Sequence, residues 1–554
     1  MRYPVTVVSL VVLLACAVPS APPEVEPTSS RTAEGTRGMV SSAHPVATRA
    51  GLAILERGGN AFDAAVAIAA ALNVVEPMMS GMGGYGTILV FDAGEGQAHY
   101  LDASGKIPIA VDADVYRPPT PDYMENRRNA KAVSTPGAVN AWQAMSERFG
   151  VLPWGELFAP AISAAEDGFV LDERGARFIE VAFPEFPEHA RSFYGSDGAP
   201  LAAGDRLVQQ DLAGSLRRVA SDGAAAIYGG PIGRAIDAAM ADAGGFLAFE
   251  DLVADRAEWW QPLQIDFKGF EVVTPSAPAG AFPMLVRLGM MSQVDLQPLG
   301  HNSPAYLHYF AEVTKRAYWM RLAYSGDPDV QPPPYEMLLA PSYWQEQSAL
   351  IDPEAAWVFD YAGILPEESR NTTHFVVADE WGNVVSATVT LGNLFGSRIM
   401  PEGTGIWLNN SLAYCTFEPA GNPMDAHPGR RKLSSDAPSF VLAGGRPWIA
   451  VGTPGGHTIT QAVAQMILNV VEFGMDIQTA IDAPRIAFVE PDALVVEPEI
   501  DASIREQLAA MGHEITVRDI GNAHALAIEY DETGRPVRFI GASDRRGSGL
   551  AEGL

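Results

Sequence analysis

The chain has 554 residues, and its 37 lysines and arginines against 67 aspartates and glutamates give a formal net charge of −30. Hydrophobic residues make up 47% of the sequence and charged residues 19%, so the chain can bury a large core and is not a mostly disordered protein. The acidic excess argues against a nucleic-acid partner or an anionic membrane surface, because both need clustered Lys and Arg. The two cysteines, Cys16 and Cys415, exclude a disulfide framework and a cysteine-based zinc site.

The N-terminal residues 1–21 predict a secretory signal peptide, since a basic start is followed by an apolar run shorter than the ~20 residues of a membrane-spanning helix. Two cleavage modes are open: ordinary cleavage near the end of this segment, or lipoprotein cleavage that makes Cys16 a lipid anchor. We therefore expect an exported protein, periplasmic or extracellular. Residues 22–37 are rich in Pro, Ser, Thr and Glu and predict a disordered spacer.

Two helices are predicted between residues 45 and 73, the second with Asn60 as its N-cap and apolar nearly all round, as in a helix buried between layers. The glycine-rich stretch 81–86 fits a G-x-G-x-x-G pattern, but a helix precedes it and a strand-like run follows. Dinucleotide sites have the opposite order, so the stretch predicts a tight turn with close backbone packing. Residues 110–350 are predicted to be mostly helical.

A β-hairpin is predicted where residues 373–379 and 384–391 alternate in polarity about a turn at 380–383. Pairing about this turn places Thr372 opposite Thr390, with both side chains on one face. Threonine pairs are common on sheets, so this pair alone predicts structure rather than chemistry.

Two more features carry potential chemistry. Gly455 and Gly456 precede an apolar helix, and free N–H groups at a helix start suit an anion or an oxyanion. Ser434 and Ser435 are adjacent hydroxyls that, read alone, predict a surface turn. H-E-x-x-H, G-x-S-x-G and Walker patterns do not occur, so the usual metallohydrolase, serine-hydrolase and nucleotide-binding signatures are absent.

Together, the order and spacing of these motifs resemble the γ-glutamyltransferase (glutathione hydrolase) family of N-terminal-nucleophile hydrolases. The resemblance runs from about Gly38 to Leu554 and is carried by GMVSSAHPVATRAGLAILERGGNAFDAAVA, NTTHFVVADEWGNVVSATVTLGNLFGS, KLSSDAPSF and GTPGGHTIT. It implies an α+β fold, specifically a four-layer αββα sandwich with two central antiparallel sheets.

The resemblance also implies a proenzyme that cleaves its own Asn371–Thr372 peptide bond. The products would be a large subunit, residues 38–371, and a small subunit, residues 372–554, which begins with the nucleophile. The freed α-amine of Thr372 would act as the base for its own hydroxyl.

By the same resemblance, Thr390 would hydrogen-bond to Thr372, and the N–H groups of Gly455 and Gly456 would form the oxyanion hole. The substrate would be a glutathione-like amide or peptide, and the acceptor would be water, an amino acid or a peptide. No metal or other cofactor is implied.

The substrate pocket departs from the family pattern. The family holds the α-carboxylate of the γ-glutamyl group with an arginine and two serines; Ser434 and Ser435 are retained, but Ser104 stands at the arginine position. The groups that hold the α-amino group align with the following residues, none of them acidic: Gly392, Ser411 and Tyr414.

Two enzymatic hypotheses follow from this departure. In the first hypothesis, the enzyme acts on γ-glutamyl amides and holds them with other polar groups, Lys106, Asn393 and Asn410 among them. Alternatively, it is an acylase for an acyl group that lacks the α-amino group of glutamate. From other classes, a non-catalytic exported binding protein on the same fold and an unrelated hydrolase are the alternatives. No role is predicted for Cys415.

Overall fold

Two seven-stranded sheets, each fully antiparallel, form the centre of the computed structural model, which describes residues 31–360 and 371–554. The first sheet consists, in spatial order, of Leu550–Gly553, Gly38–Ser42, Asn371–Asp379, Val384–Gly392, Tyr85–Asp92, Gln97–Asp102 and Glu258–Trp260. The second sheet consists of Thr32–Gly35, Pro536–Ser543, His524–Tyr530, Arg446–Gly452, Ser439–Ala443, Phe270–Thr274 and Leu263–Phe267.

The two sheets pack face to face. Met39, Val376 and Val384 of the first sheet share one buried apolar cluster with Phe440 and Leu526 of the second. Because strand side chains alternate between faces, these residues form the inner layer of a sandwich.

The outer face of the first sheet packs against a layer of helices. These helices are Pro45–Glu56, Ala61–Val75, Ala138–Phe149, Ala159–Asp167, Glu173–Ala182, Glu188–Tyr194, Gln210–Asp222, Pro231–Asp242 and Phe249–Ala254. The outer face of the second sheet packs against another helical layer. Its helices are Phe282–Met291, Pro304–Tyr324, Tyr335–Leu338, Pro341–Ser348, Ile459–Val471, Ile477–Asp482 and Ala502–Ala510. The four-layer αββα sandwich is therefore confirmed.

Several small elements lie outside these layers, among them the four-residue helix Tyr123–Asn126 and short 3-10 turns. A three-stranded sheet and two short strand pairs lie outside the two main sheets. They are Ile486–Val489, Ala493–Val496 and Glu514–Val517; Phe169–Val170 with Arg206–Leu207; and Gly195–Ser196 with Ala199–Pro200.

The predicted N-terminal helices are confirmed. Asn60 caps the second helix through a capping box with Asp63: its side chain accepts from the Asp63 amide, and the Asp63 carboxylate accepts from the Asn60 amide. All residues of the helix Ala61–Val75 are buried, as its nearly uniform apolar surface predicts.

The glycine-rich stretch 81–86 is a tight turn, as predicted. A Cβ on Gly83 would lie 2.1 Å from the carbonyl oxygen of Trp407, and one on Gly84 would lie 2.4 Å from that of Thr390. Glycine is therefore required here so that two backbones can approach, and the carbonyl of Thr390 is one of the groups that this turn contacts.

One expectation about the fold is wrong. The predicted disordered spacer does not extend to residue 37, because Thr32–Gly35 pairs with Pro536–Ser543 at the edge of the second sheet. An edge strand needs only one partner and is half exposed, so its composition resembles a linker. The segment 110–350 is mainly helical, as predicted, but it also contains the strands Leu263–Phe267 and Phe270–Thr274. The alternating polarity of L-Q-I-D-F is a local signal for the first of these strands.

The signal-peptide and lipoprotein predictions, with residues 22–30 of the spacer, lie outside the described residues and stay predictions. None of the helices within residues 31–360 and 371–554 has both the length and the hydrophobicity of a membrane-spanning segment.

Candidate active site

The hairpin that carries both threonines has the predicted register. Thr373 pairs with Val389, and the ladder continues without interruption from there toward the turn. At the other end the register shifts, and Asn371 pairs with Gly392, so Thr372 lies in a β-bulge. Thr372 and Thr390 are therefore not a regular ladder pair, yet their side chains meet.

The hydroxyl of Thr390 makes three hydrogen bonds at the predicted cleavage point. It accepts from Thr372 Oγ1 at 3.1 Å and from the Gly392 amide at 2.9 Å. It donates to the carbonyl oxygen of Asn371 at 2.9 Å. Because its one O–H donates to the Asn371 carbonyl and two donors approach its lone pairs, the orientation of this hydroxyl is fixed. It touches both the proposed nucleophile and the carbonyl of the Asn371–Thr372 bond.

Gly392 has a positive φ of 98° and no room for a side chain, since a Cβ there would lie 2.3 Å from Asn410 Oδ1. Asn410 thus fills the space that a side chain at position 392 would take. Its Oδ1 accepts from the Asn393 amide at 2.8 Å. Its Nδ2 is buried and has no hydrogen-bond partner among the described residues, so one amide donor remains available beside the hairpin end.

The glycine loop follows the strand Arg446–Gly452, which packs against the hairpin: a Cβ on Gly452 would lie 2.3 Å from the ring of His374. Gly455 and Gly456 both have positive φ angles. Their amides donate to no other residue within the described ranges. The loop therefore offers two uncommitted N–H groups, as an oxyanion hole requires.

Ser434 is buried, so the surface-turn interpretation of the serine pair is wrong. Its Oγ lies 3.2 Å from Thr87 Oγ1, and Thr87 pairs across the first sheet with Thr388, two residues before Thr390. Ser435 Oγ accepts from Arg321 Nη2 at 3.1 Å.

The other pocket residues named from the sequence are bonded to protein partners. Ser104 Oγ donates to Asp102 at 2.9 Å, and the phenol of Tyr414 donates to Asn393 Oδ1 at 2.8 Å. Ser411 is buried; its hydroxyl donates to the hydroxyl of Ser134, and its amide donates to Asn409 Oδ1. Ser104 and Tyr414 therefore do not reproduce the charges of an arginine and an aspartate.

Lys106, considered from the sequence as a replacement for the arginine, lies elsewhere. Its side chain is 42% exposed and its ammonium lies 3.6 Å from Glu258. Buried cations near the serine pair are Arg321, which bonds to Ser435, and Lys432, whose Nζ lies 3.6 Å from the ring centroid of Tyr85. Tyr85 pairs with Thr390 in the first sheet and its phenol interacts with the Thr390 side chain.

A buried carboxylate accompanies Lys432. Asp436 Oδ2 accepts from Thr87 Oγ1 at 3.2 Å, and burial raises the pKa of this carboxyl to about 6. Burial lowers the pKa of the Lys432 ammonium to about 8, against the attraction of Asp436. Neither residue is predicted from the sequence, although a charge on each side of the serine pair, in K-L-S-S-D, is a signal for them.

One cluster has donor atoms close enough for a metal ion: His308, Glu312 and His513. These atoms already have protein partners, since His308 bonds to His513 at 2.9 Å and to a backbone carbonyl, and Glu312 binds Arg316. These bonds occupy His308, Glu312 and His513 Nε2, and only Nδ1 of His513 has no partner within the described ranges, so we assign the cluster no metal.

Comparison with known proteins gives the family. A family model described as gamma-glutamyltranspeptidase matches residues 47–554. The acylase ACY 1 proenzyme of Pseudomonas sp. (strain V22) is 35% identical over 94% of this chain and 96% of its own length. The glutathione hydrolase proenzyme of Bacillus subtilis (strain 168) is 31% identical over 98% of this chain and 97% of its own length.

A solved structure, the cephalosporin acylase from Bacillus halodurans, superposes with a TM-score of 0.84 at 27% identity and covers 98% of this chain and 99% of its own. The fold, the family model and the relatives agree over nearly the whole described chain. The chain therefore belongs to the γ-glutamyltranspeptidase family of N-terminal-nucleophile hydrolases and is an enzyme.

Proposed function

We propose that this chain cleaves its own Asn371–Thr372 bond and then hydrolyses or transfers the acyl group of small amides through a threonyl ester on Thr372. One observation carries the proposal. The hydroxyl of Thr390 accepts from the Thr372 hydroxyl and donates to the Asn371 carbonyl oxygen. The Thr390 hydroxyl is thus positioned to assist the attack of the Thr372 hydroxyl on the carbonyl carbon of Asn371.

In the precursor, Thr372 Oγ attacks the carbonyl carbon of Asn371 while its proton passes to Thr390 Oγ, and Thr390 passes its own proton to the Asn371 oxygen, where charge develops. As this intermediate collapses, that proton moves from the oxygen to the nitrogen of Thr372. The C–N bond breaks, the nitrogen leaves as a neutral amine, and the acyl group is now an ester on Oγ. Water then hydrolyses this ester, which frees the carboxylate of Asn371 and the N-terminal Thr372.

In the processed enzyme, the α-amine of Thr372 takes the proton of its own hydroxyl as that hydroxyl attacks the substrate amide. The free N–H groups of Gly455 and Gly456 would stabilise the oxyanion, at about 3–4 kcal/mol for each donor. The free Nδ2 of Asn410 is a further donor near the same hairpin end.

The first candidate for the acyl group is γ-glutamyl, as in glutathione-like amides. Support comes from the retained Ser434 and Ser435, and from the buried charges of Lys432 and Asp436 beside them. Relatives named glutathione hydrolase agree with it.

The second candidate is an acyl group without an α-amino group. It is favoured by Tyr414, whose phenol is bonded to Asn393 where the family pattern has an acid. The similarity to proteins named acylase agrees with it.

The test uses purified protein made without residues 1–21, next to the Thr372→Ala variant. The proposal expects cleavage before Thr372 in the parent only, and amide hydrolysis by the processed parent only. γ-Glutamyl and glutaryl p-nitroanilides, compared on the same preparation, separate the two acyl candidates. A folded parent that neither cleaves itself nor hydrolyses either anilide would instead indicate a non-catalytic binding protein.

A further inference from the structure

Two opposite charges flank the serine pair and are buried together without touching. Lys432 and Asp436 are each nearly inaccessible to solvent. Each exerts the largest electrostatic effect of any charged group on the other. Although both belong to the described part of the chain, they form no direct ion pair. Buried charges are costly to desolvate and normally make contact when they have only each other, so this separation requires an explanation.

The bonds of each group leave capacity unused. Within the described residues, Lys432 Nζ donates one hydrogen bond, to the Leu433 carbonyl at 3.1 Å, and an ammonium has three donors. Asp436 has neutral partners, Thr87 on Oδ2 and the Ser434 side chain. A ligand that carries both an anion and a cation could therefore bridge the pair and satisfy both sides.

The position of the pair fits the acyl side of the nucleophile. Lys432 lies over the ring of Tyr85, and Tyr85 pairs with Thr390 in the sheet. The Tyr85 phenol also interacts electrostatically with Tyr414. Lys432 also senses Asp102, the carboxylate that holds Ser104. The two positions that lack an arginine and an aspartate are thus linked to this pair through Asp102 and Tyr85.

We propose that Lys432 and Asp436 determine acyl specificity, Lys432 by binding a carboxylate and Asp436 by binding an ammonium on the acyl group. This inference rests on the proposed amide hydrolysis at Thr372. The preferred acyl group then carries both an α-carboxylate and an α-ammonium in addition to the scissile carbonyl. The charges that bind these two groups flank the serine pair in the chain.

Four p-nitroanilides that differ only in these two charges test the inference. They carry γ-glutamyl (both charges), glutaryl (carboxylate only), 4-aminobutyryl (ammonium only) and butyryl (neither). The parent enzyme should hydrolyse the γ-glutamyl anilide with the highest kcat/KM and the butyryl anilide with the lowest. A flat ranking, or glutaryl ahead of γ-glutamyl, would overturn the inference without any variant.

Two charge-deleting variants of nearly unchanged shape assign the roles. Lys432→Met should lower kcat/KM about 30-fold or more for the two anilides with a carboxylate, and leave the other two nearly unchanged. Asp436→Asn should do the same for the two anilides with an ammonium. Lys268→Met and Asp266→Asn, at the far edge of the second sheet, are matched controls and should change none of the four.

An equal loss on all four anilides would mean that the pair is only structural. The double variant Lys432→Met/Asp436→Asn guards against misfolding, because it removes no net charge; it should process normally and hydrolyse the butyryl anilide like the parent. Processing is read on the same samples. A parent that fails to process contradicts the proposed function, whereas a processed parent with a flat ranking contradicts only the present inference.

Discussion

The side chain of Thr390 lies 3.1 Å from that of Thr372 and joins it to the carbonyl of the preceding residue, Asn371. The contact exists because the register of the hairpin shifts at Asn371 and lifts Thr372 into a bulge. A continuous register would place Thr372 directly opposite Thr390 in the ladder. The bulge instead presents the Asn371 carbonyl and the Thr372 hydroxyl to one proton-carrying group, which is the arrangement that self-cleavage needs.

Removing the Thr390 hydroxyl should slow processing. Thr390→Val keeps the shape of the side chain but deletes the hydrogen bond to the Asn371 carbonyl, which predicts a rate of self-cleavage lower by about 100-fold. Thr390→Ser keeps the hydroxyl and should retain most of the rate. The measurement is the time course of precursor loss on a denaturing gel; equal rates for the Val and Ser variants would refute this role.

Position 392 should tolerate only glycine as long as Asn410 is present. Gly392→Ala places a Cβ 2.3 Å from Asn410 Oδ1 and requires a positive φ, so processing should fall sharply. Gly392→Ala combined with Asn410→Ala removes the clash but not the backbone strain, and should recover part of the processing yield. No recovery in the double variant would show that strain alone, or the lost Asn410 amide, controls the outcome.

The thiol of Cys415 should be inert in the folded protein. It is buried in an apolar cluster with Tyr116 and Phe417, and burial raises its pKa to about 12. Since the thiolate is the reactive form, a thiol reagent at pH 8 should label Cys415 only after denaturation. Protein made without residues 1–21 lacks Cys16, so one label per chain is expected in denaturant. Rapid labelling of the native protein would contradict the burial of this side chain.

Asp255 should make stability depend on pH. Burial, aided by repulsion from Asp102, raises the pKa of its carboxyl from 3.8 to about 7. A raised folded-state pKa means that its contribution to stability is complete below pH 3.8 and is lost as the pH rises toward 7. At pH 8 the loss amounts to at most about 4 kcal/mol.

The isosteric variant Asp255→Asn should therefore be more stable than the parent at pH 8, with the difference vanishing near pH 4. Urea unfolding in the uncleaved Thr372→Ala background avoids subunit dissociation. Asp251→Asn is the control, because Asp251 lies on the adjacent helix Phe249–Ala254 and its carboxyl is not buried. This variant should not gain stability at pH 8. An Asp255→Asn variant that is no more stable than the parent at pH 8 would contradict the prediction.

The sequence predicts the elements whose signals are local. Asn60 and the uniformly apolar segment after it predict a capped, buried helix, and the polarity alternation on both sides of residues 380–383 predicts the hairpin and its register. The bulge at Thr372 has no such signal, because it depends on how the end of the hairpin meets Asn410 and the glycine turn.

The charged part of the pocket was also not predictable from the chain alone. Lys432 and Asp436 stand beside two serines in a polar segment, which is typical of an exposed turn, and only the approach of Tyr85 and Thr87 from the first sheet buries them. Lys106, in contrast, lies two residues after Ser104, which stands at the arginine position, but its partly exposed side chain points to Glu258. Burial of a charge is a tertiary property, and sequence proximity does not report it.

The most direct test of the account is the N-terminal sequence of the smaller fragment of purified protein, next to the Thr372→Ala variant. We expect a fragment that begins Thr-Thr-His-Phe in the parent and an uncleaved chain in the variant. A parent that is folded yet remains a single chain, or a fragment that begins at another residue, would contradict this expectation.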